Sequence, residues 1–585
     1  MAAFFYGITL SRLRDNLLIQ VNFAPMHAFS YYKESAITPA KARFLLALCL
    51  TWLLTGLIGH DPWKPDEAYS FGIVYHILQS GDWLVPTMAG EIWLDKPPFF
   101  YMTAAAFAKL FSPVLPLHDG ARLATGFYVG LTLLFTGFTG KQMFGKDMGW
   151  AAIIIFIGCL GMLINAHLLS TDLGFLAGTA MMLGGYAIHT RRPLLAAALL
   201  GTGLGLGFMT KGFIAPTIFI STSLTLLLFR PWRTKNYLMV LLRAILFALP
   251  WLLIWPWLLY QRSQDLFHVW LWQNNVENWL DFIHDANSSS LVFYLKLLPW
   301  FAWPALPIAS WLVWNQRRKL LEQREGQLLV ISFLTQLVAL SIVPYSEEVF
   351  AMPMLLPLVL LATMALPSLR RGAANALDRF GIMTFGFLAF LMWWGWEGLI
   401  AGNNTIAARA LRDYQAEYLP VFHPASFLVA ALATLLWLVF VWRVGRSMRR
   451  AVTNWATGVT LIWVLTMSLW LPWLDVNKSY RSMVVSLSAA LPEQHGCIAS
   501  RYLGDAQKAM LDYVGNVRTI PGGELRCDLL LTQGNLSRSD QHKGNWKIVW
   551  VGGRRGQKID RYYLYQRNTT NLTDPAKSAP QANAG

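Results

Sequence analysis

The chain has 585 residues, of which 55% are hydrophobic and only 14% charged, with 27 Trp and a mean hydropathy of +0.40. This composition excludes a soluble globule, and apolar runs that repeatedly reach the 18 or more residues a bilayer requires predict a polytopic membrane protein. The net charge of +16 does not point to nucleic acid, because the basic residues fall in short clusters between apolar runs, as the positive-inside rule expects of cytoplasmic loops.

Residues 1–42 contain Arg12, Arg14, Lys33 and Lys41 and no small-residue cleavage site, so they read as a cytoplasmic, interfacial N-terminus rather than a signal peptide. The first span starts near Arg43 and exits near His60. Further apolar runs cover about 122–142, 150–168, 173–189, 194–209, 213–229, 237–260, 291–314, 327–343, 349–366, 380–399, 425–442 and 454–473, giving about thirteen transmembrane helices within a 43–474 domain. The basic clusters Lys141/Lys146, Arg191/Arg192, Arg230/Arg233/Lys235, Arg317 to Lys319, Arg370/Arg371 and Arg443 to Arg450 all fall on one side of this threading. Acids including Asp66, Glu67, Asp172, Glu277 and Glu347 fall on the other. That asymmetry predicts a cytoplasmic N-terminus and, with an odd span count, an exported C-terminus.

Within the first outer loop, 61–121, Asp66 and Glu67 follow Pro65 at the start of a predicted helix. Its Tyr69, Ile73, Ile77 and Leu78 suggest an amphipathic face lying on the membrane. Capping and the helix dipole give these acids a structural reading. Thirty residues on, Asp95-Lys96-Pro97-Pro98 precedes an aromatic stretch, Phe99 to Phe111, read as a second interfacial helix. Lys96 has a snorkelling reading, but the Lys-Pro-Pro turn fixes the chain direction and suits an ammonium that binds phosphate as a point charge.

Later outer segments add weaker candidates. Asp172 reads equally as a second functional carboxylate or a helix cap, and Lys211 as a phosphate contact or a headgroup contact. In the loop 261–290, His268, Glu277 and His284 form a set able to bind a divalent metal ion, although their spacing matches no tight metal motif and favours a substrate-binding loop. Trp393, Trp394 and Trp396 read as an interfacial aromatic belt.

Beyond residue 475 the composition turns mixed and polar. Helical periodicity at 482–491 and 506–513 alternates with strand-like runs at 527–531 and 547–551, predicting a small exported α/β domain over 475–567, followed by a disordered tail, 568–585. Cys497 and Cys527 share this domain and are disulfide candidates, a link worth about 3–4 kcal/mol, with two buried thiols as the alternative. No Gly-rich phosphate loop is present, which argues against direct use of ATP.

The stretch WKPDEAYSFGIVYHILQSGDWLVPTMAGEIWLDKPPFFYM resembles the first extracytoplasmic loop of GT-C fold membrane glycosyltransferases, in the branch of the aminoarabinose lipid A transferases and protein O-mannosyltransferases. Arg122-Leu123-Ala124, Ser170-Thr171-Asp172 and the glycine-rich run from Gly203 to Gly212 extend the resemblance. It implies a mainly α GT-C fold and transfer of a sugar from an undecaprenyl (polyprenyl) phosphate donor to a lipid A, glycan or protein acceptor, at the periplasmic face of a bacterial inner membrane. Carried over, Asp66 and Glu67 are the catalytic acids, while Lys96, with Lys211 and Arg122, meets the donor phosphate. Tyr69, Asp95, Asp172 and Tyr345 are substrate-groove candidates.

Three departures stand out from the aminoarabinose branch. Tyr69 replaces an arginine, Asp95 replaces a glutamate, and a lysine-rich late loop is replaced by Pro344-Tyr345-Ser346-Glu347-Glu348. The two losses of positive charge put the identity of sugar and acceptor in question. A transporter or flippase of lipid-linked sugars is the alternative, but transporters place ionisable residues near the bilayer midplane, whereas here they gather outside the spans.

Overall fold

The computed structural model describes residues 37–277, 289–342, 346–402, 409, 419–443, 448–493, 495–537, 546–553 and 561–567. The predicted tail, most of the N-terminal segment, His284 and Tyr345 lie outside these residues.

All thirteen apolar runs contain helix. In chain order they are α1 (Pro39–Leu54), α4 (Leu117–Phe144), α5 (Met148–Ile157), α6 (Asp172–Ile188), α7 (Pro193–Lys211), α8 (Ile214–Leu226), α9 (Lys235–Arg262), α10 (Ser289–Phe301) with α11 (Ala305–Leu320), α12 (Arg324–Ser341), α13 (Met352–Ala365), α14 (Arg371–Ile400), α15 (Pro424–Arg443) and α16 (Met448–Leu465). The loop 61–121 contributes α2 (Asp66–Ser80) and α3 (Phe99–Phe111). Among the described residues, seven helices are long and apolar enough to cross a membrane by themselves, and the bent pair α10–α11 makes an eighth. The protein is thus a multi-pass membrane protein.

Two of the expected continuous spans are interrupted. The run 150–168 stops at Gly158, and the run 291–314 bends by 104° between α10 and α11. Each break satisfies the other: Leu160 N–H donates to the Trp303 carbonyl at 3.1 Å and Gly161 N–H to the Phe301 carbonyl at 2.8 Å. Trp455 Nε1 closes the set by donating to the Gly158 carbonyl at 2.8 Å. Backbone groups freed within a bilayer require such protein partners, which is why the two irregularities occur together.

Glycine sets the spacing of α6 and α7. A methyl added at Gly178 would stand 2.5 Å from the Gly203 carbonyl oxygen, and one at Gly174 would stand 2.6 Å from the Thr210 side chain. The backbones therefore touch, in the manner of small-residue packing in membranes.

The C-terminal region contains α17 (Leu471–Lys478), α18 (Arg481–Ala490) and α19 (Asp505–Gly515). A hairpin in the loop 61–121 supplies β1 (Thr87–Met88) and β2 (Glu91–Ile92), so the C-terminal strands are β3 (Ile498–Arg501), β4 (Thr519–Pro521), β5 (Leu529–Gln533), β6 (Trp546–Gly553) and β7 (Arg561–Arg567). They form one sheet in the order β4-β3-β5-β7-β6, parallel from β4 to β5 and antiparallel thereafter. Cys497 and Cys527 are joined by a disulfide just before β3 and β5.

The placement of α2 differs from the expectation. It is enclosed by protein on more than one face: Ala68, Phe71, Ile73 and Val74 are fully buried, and a Cβ at Gly72 would collide with Ala509 of α19. Tyr513 of α19 stacks edge-on against Phe71 and Tyr75. The weak apolar face visible in the sequence is supplemented by a second face, because the C-terminal domain covers what would otherwise meet solvent.

Candidate active site

The Asp-Glu pair parts at the start of α2. Glu67 turns inward and is 1% exposed. Its carboxylate accepts from the Trp63 N–H at 2.9 Å and from Arg122 Nε at 2.5 Å. Arg122, also 1% exposed, donates to Asp119 at 2.7 Å and to the carbonyls of Leu57, His60 and Asp61 at 3.0–3.3 Å. Burial raises the Glu67 carboxyl, but the Arg122 guanidinium beside it more than offsets this and holds it below its ordinary range. All of the guanidinium's nitrogens are committed within this network, which ties the loop entering α2 to α4.

Asp66 turns outward instead. It occupies the first position of α2, where Pro65 is the cap residue and no side chain caps the helix. Its carboxyl opens to solvent, yet it sits close enough to protein for burial to raise its pKa; Lys96 and Lys211 oppose that rise, and Asp172 adds to it. Glu347, just before α13, is raised by burial in the same way, and the charges it feels are Lys211, Asp66, Asp172 and Lys96. Three acids and two lysines from five separate segments therefore share one site.

The two lysines are held differently. Lys96 Nζ lies 3.4 Å from the Tyr69 hydroxyl and 3.9 Å from the Asp95 carboxylate, at the turn leading into α3. Burial pulls its ammonium down, but Tyr69, Tyr101, Asp172 and Asp95 around it reverse the direction, and the net shift is upward. Asn274 pins the chain just before this turn by donating to the Leu94 carbonyl at 3.0 Å. Lys211 ends α7, where Gly212 takes the left-handed φ of 68° that stops the helix. Its ammonium is 2.5 Å from Asp172 Oδ1 and 3.6 Å from the centre of the Phe350 ring. Ser170 donates to the other oxygen of Asp172 at 3.1 Å.

An apolar cavity of about 590 Å³ is walled by Trp83, Phe99, Met102, Met209, Trp251 and Trp255, from the loop 61–121, α3, α7 and α9. Phe99 lies three positions beyond Lys96, and Met209 two before Lys211, so the segments that carry the two lysines also line the cavity.

Of the residues singled out in the sequence, Asp66, Lys96, Asp172 and Lys211 come together, with Tyr69 and Asp95 beside Lys96. Arg122 and Glu67 belong to the buried network behind them. His268 and Glu277 are exposed, at the end of a short helix (Gln264–His268) and of a π-helical segment (Val269–Glu277). Among the described residues no three His, Cys, Asp or Glu side chains are grouped to hold a metal ion. Glu347 was missed as a site residue. Its signal is the acidic pair Glu347-Glu348 at the entrance to an apolar span, which in the sequence bears on topology and on the departure from the aminoarabinose branch.

No known family's sequence profile matches the chain. Among curated proteins, it is 28% identical over 358 residues to the undecaprenyl phosphate-α-4-amino-4-deoxy-L-arabinose arabinosyl transferase of Pseudomonas aeruginosa, covering 58% of this chain and 62% of that protein. To the protein of the same name from Pseudomonas savastanoi it is 28% identical over 380 residues, 62% of this chain and 68% of the relative. The matches thus span roughly six tenths of the length of these curated relatives. Among solved structures, ArnT from Cupriavidus metallidurans superposes with a TM-score of 0.63 when bound to undecaprenyl phosphate and 0.64 in its apo state, each at 16% identity. The superpositions cover 92% and 90% of this chain and 99% and 98% of those. The fold is that of the GT-C membrane proteins. Within that class, the chain is similar in sequence to the aminoarabinose transferases.

Proposed function

We propose that this protein is a membrane glycosyltransferase that moves a sugar from an undecaprenyl or other polyprenyl phosphate onto a lipid, glycan or protein acceptor. The observation that carries the reading is that the segments bearing the lysines of a two-lysine, three-acid cluster also line an apolar cavity between helices, an arrangement amphiphilic in the way such a donor is. Relatives named for undecaprenyl phosphate-linked aminoarabinose support the donor class.

In this reading the isoprenoid tail lies along Trp83, Phe99 and Trp251, and Lys96 and Lys211 receive the phosphate. Cleavage of the glycosyl–phosphate bond builds positive charge on the sugar and negative charge on the departing phosphate. The lysines stabilise the second. Asp66 takes the proton of an acceptor hydroxyl or faces the developing sugar cation, and its opening to solvent leaves room for the acceptor. Asp172 holds Lys211 in place, and Glu67 with Arg122 fixes the first turn of α2.

We further propose the orientation drawn from the basic loops, with the N-terminus cytoplasmic and the site and C-terminal domain periplasmic. A reporter fused after Asp475 tests it: activity restricted to the cytoplasm would reverse the side of every group in the site. Function itself is tested by mass spectrometry of envelope glycolipids, lipid A and periplasmic proteins from cells with and without the protein. A difference of one sugar mass on one acceptor is expected, and identical profiles from an expressing strain would refute the transferase reading. The transporter alternative fits less well, because the charged groups sit at helix ends and in loops.

A further inference from the structure

We propose that the groove between α11 and α14 is a binding site for an anionic phospholipid, with an acyl chain in the groove and the headgroup on the basic helix ends beside it. The groove lies between α11, which follows the 104° bend after α10, and α14, which lines it with Ala373, Ala376, Leu377 and Phe380. The cavity, about 380 Å³, is walled by Trp303, Pro304, Pro307, Ile308, Trp311 and Phe380. That is within the usual size of a ligand site, and its walls are almost wholly apolar.

Charge is concentrated at one end. The Arg370 guanidinium lies 5.4 Å from the centre of the Trp311 ring, and Arg317 lies 5.8 Å from that of Trp314. Arg318 and Lys319 are exposed on the same turn of α11, and Arg371 is exposed at the start of α14. The acid in that part of α14, Asp378, is engaged elsewhere: Arg450 approaches it at 3.1 Å and Asn454 donates to it at 2.5 Å. Glu322 follows on the exposed turn after α11 and leaves the excess positive.

A second observation concerns the groove's own walls. The indole N–H groups of Trp303 and Trp311 are buried and have no hydrogen-bond acceptor among the described residues. Buried donors without partners are uncommon, and lipid ester or phosphodiester oxygens are acceptors of the right kind. Basic pockets between transmembrane helices bind anionic headgroups by these means. Free phosphate would leave the groove unfilled, and a neutral phospholipid would leave the cations unused. None of the residues involved belongs to the candidate active site.

Native mass spectrometry of the purified protein, titrated with phosphatidylglycerol or phosphatidylcholine, tests the proposal. Phosphatidylglycerol is expected to be retained preferentially at one stoichiometric site, and Arg370→Gln to weaken that retention roughly fivefold, the share of one cation near a lipid surface. Ala376→Trp, which fills the groove and alters no charge, should displace the lipid as well. A thermal melt accompanies each variant, and if one fails to fold the other decides. Equal retention of both lipids, or undiminished phosphatidylglycerol retention by a folded variant, would show an annular lipid only and overturn the assignment.

Discussion

Lys211 and Asp172, from the end of α7 and the start of α6, meet at 2.5 Å with both side chains at least 95% buried. They can do so because Gly174, Gly178 and Gly203 let the two helices touch, so a packing feature within the bundle decides the geometry of a buried ion pair at the helix ends.

Removing one partner leaves an uncompensated buried charge. Lys211→Met should therefore lower stability by about 3–5 kcal/mol and abolish transfer. The double variant Lys211→Met with Asp172→Asn should recover most of the stability and none of the transfer. Thermal melts and transfer assays on the same preparations distinguish the outcomes; recovery of both would make the pair purely structural.

Asp66→Asn keeps the shape of the side chain and removes its charge. Since no side-chain cap is lost, folding should be normal, while transfer falls at least ~100-fold, the lower range for deleting a general base or a preorganised charge. Near wild-type transfer by the purified variant would remove this loop from consideration as the active site.

The pH profile carries a sign. Burial holds the Asp66 pKa above its ordinary value of 3.8, and Lys96 is the strongest influence opposing that rise. A base of this kind is lost as pH falls through the raised pKa, so the acid limb of kcat/KM should lie above 3.8. Lys96→Ala, by removing the opposing cation, should move that limb to still higher pH and raise the donor KM. An unmoved limb would show that Asp66 is not the group being titrated.

Arg122→Ala should act through folding rather than donor binding. It strips the partner from a fully buried Glu67, at a cost of about 3–5 kcal/mol, and frees the carbonyls at Leu57, His60 and Asp61. The expected signature is a lowered melting temperature with the donor KM of the surviving folded fraction little changed. A raised KM at unchanged stability would instead place the guanidinium on the donor phosphate.

Gly178→Ala probes the link from packing to chemistry. Its added methyl meets the Gly203 carbonyl and forces α6 from α7, with an expected loss of about 1–3 kcal/mol, and it should lower transfer by drawing Asp172 from Lys211. Intact activity at reduced stability would show that the pair tolerates the displacement.

The membrane class, the helical runs and the first-loop residues were legible in the chain alone, because bilayer length and hydropathy act locally and the Asp66, Lys96 and Lys-Pro-Pro signals are contiguous. The sequence also brought Cys497 and Cys527 into one domain. Which charges share a site depends on packing between distant segments. Asp66 and Glu67 are neighbours in the chain, but helix geometry sends one to the cluster and the other to Arg122, and Glu347 joins Asp66 from a distant segment. Hydropathy could not foresee that the runs 150–168 and 291–314 are broken, since the freed backbone groups bond to one another, nor that α2 is covered by α19. In each case the deciding partner is remote in sequence, and the physical quantity concerned, a buried charge or an unpaired backbone group, is settled only when that partner arrives.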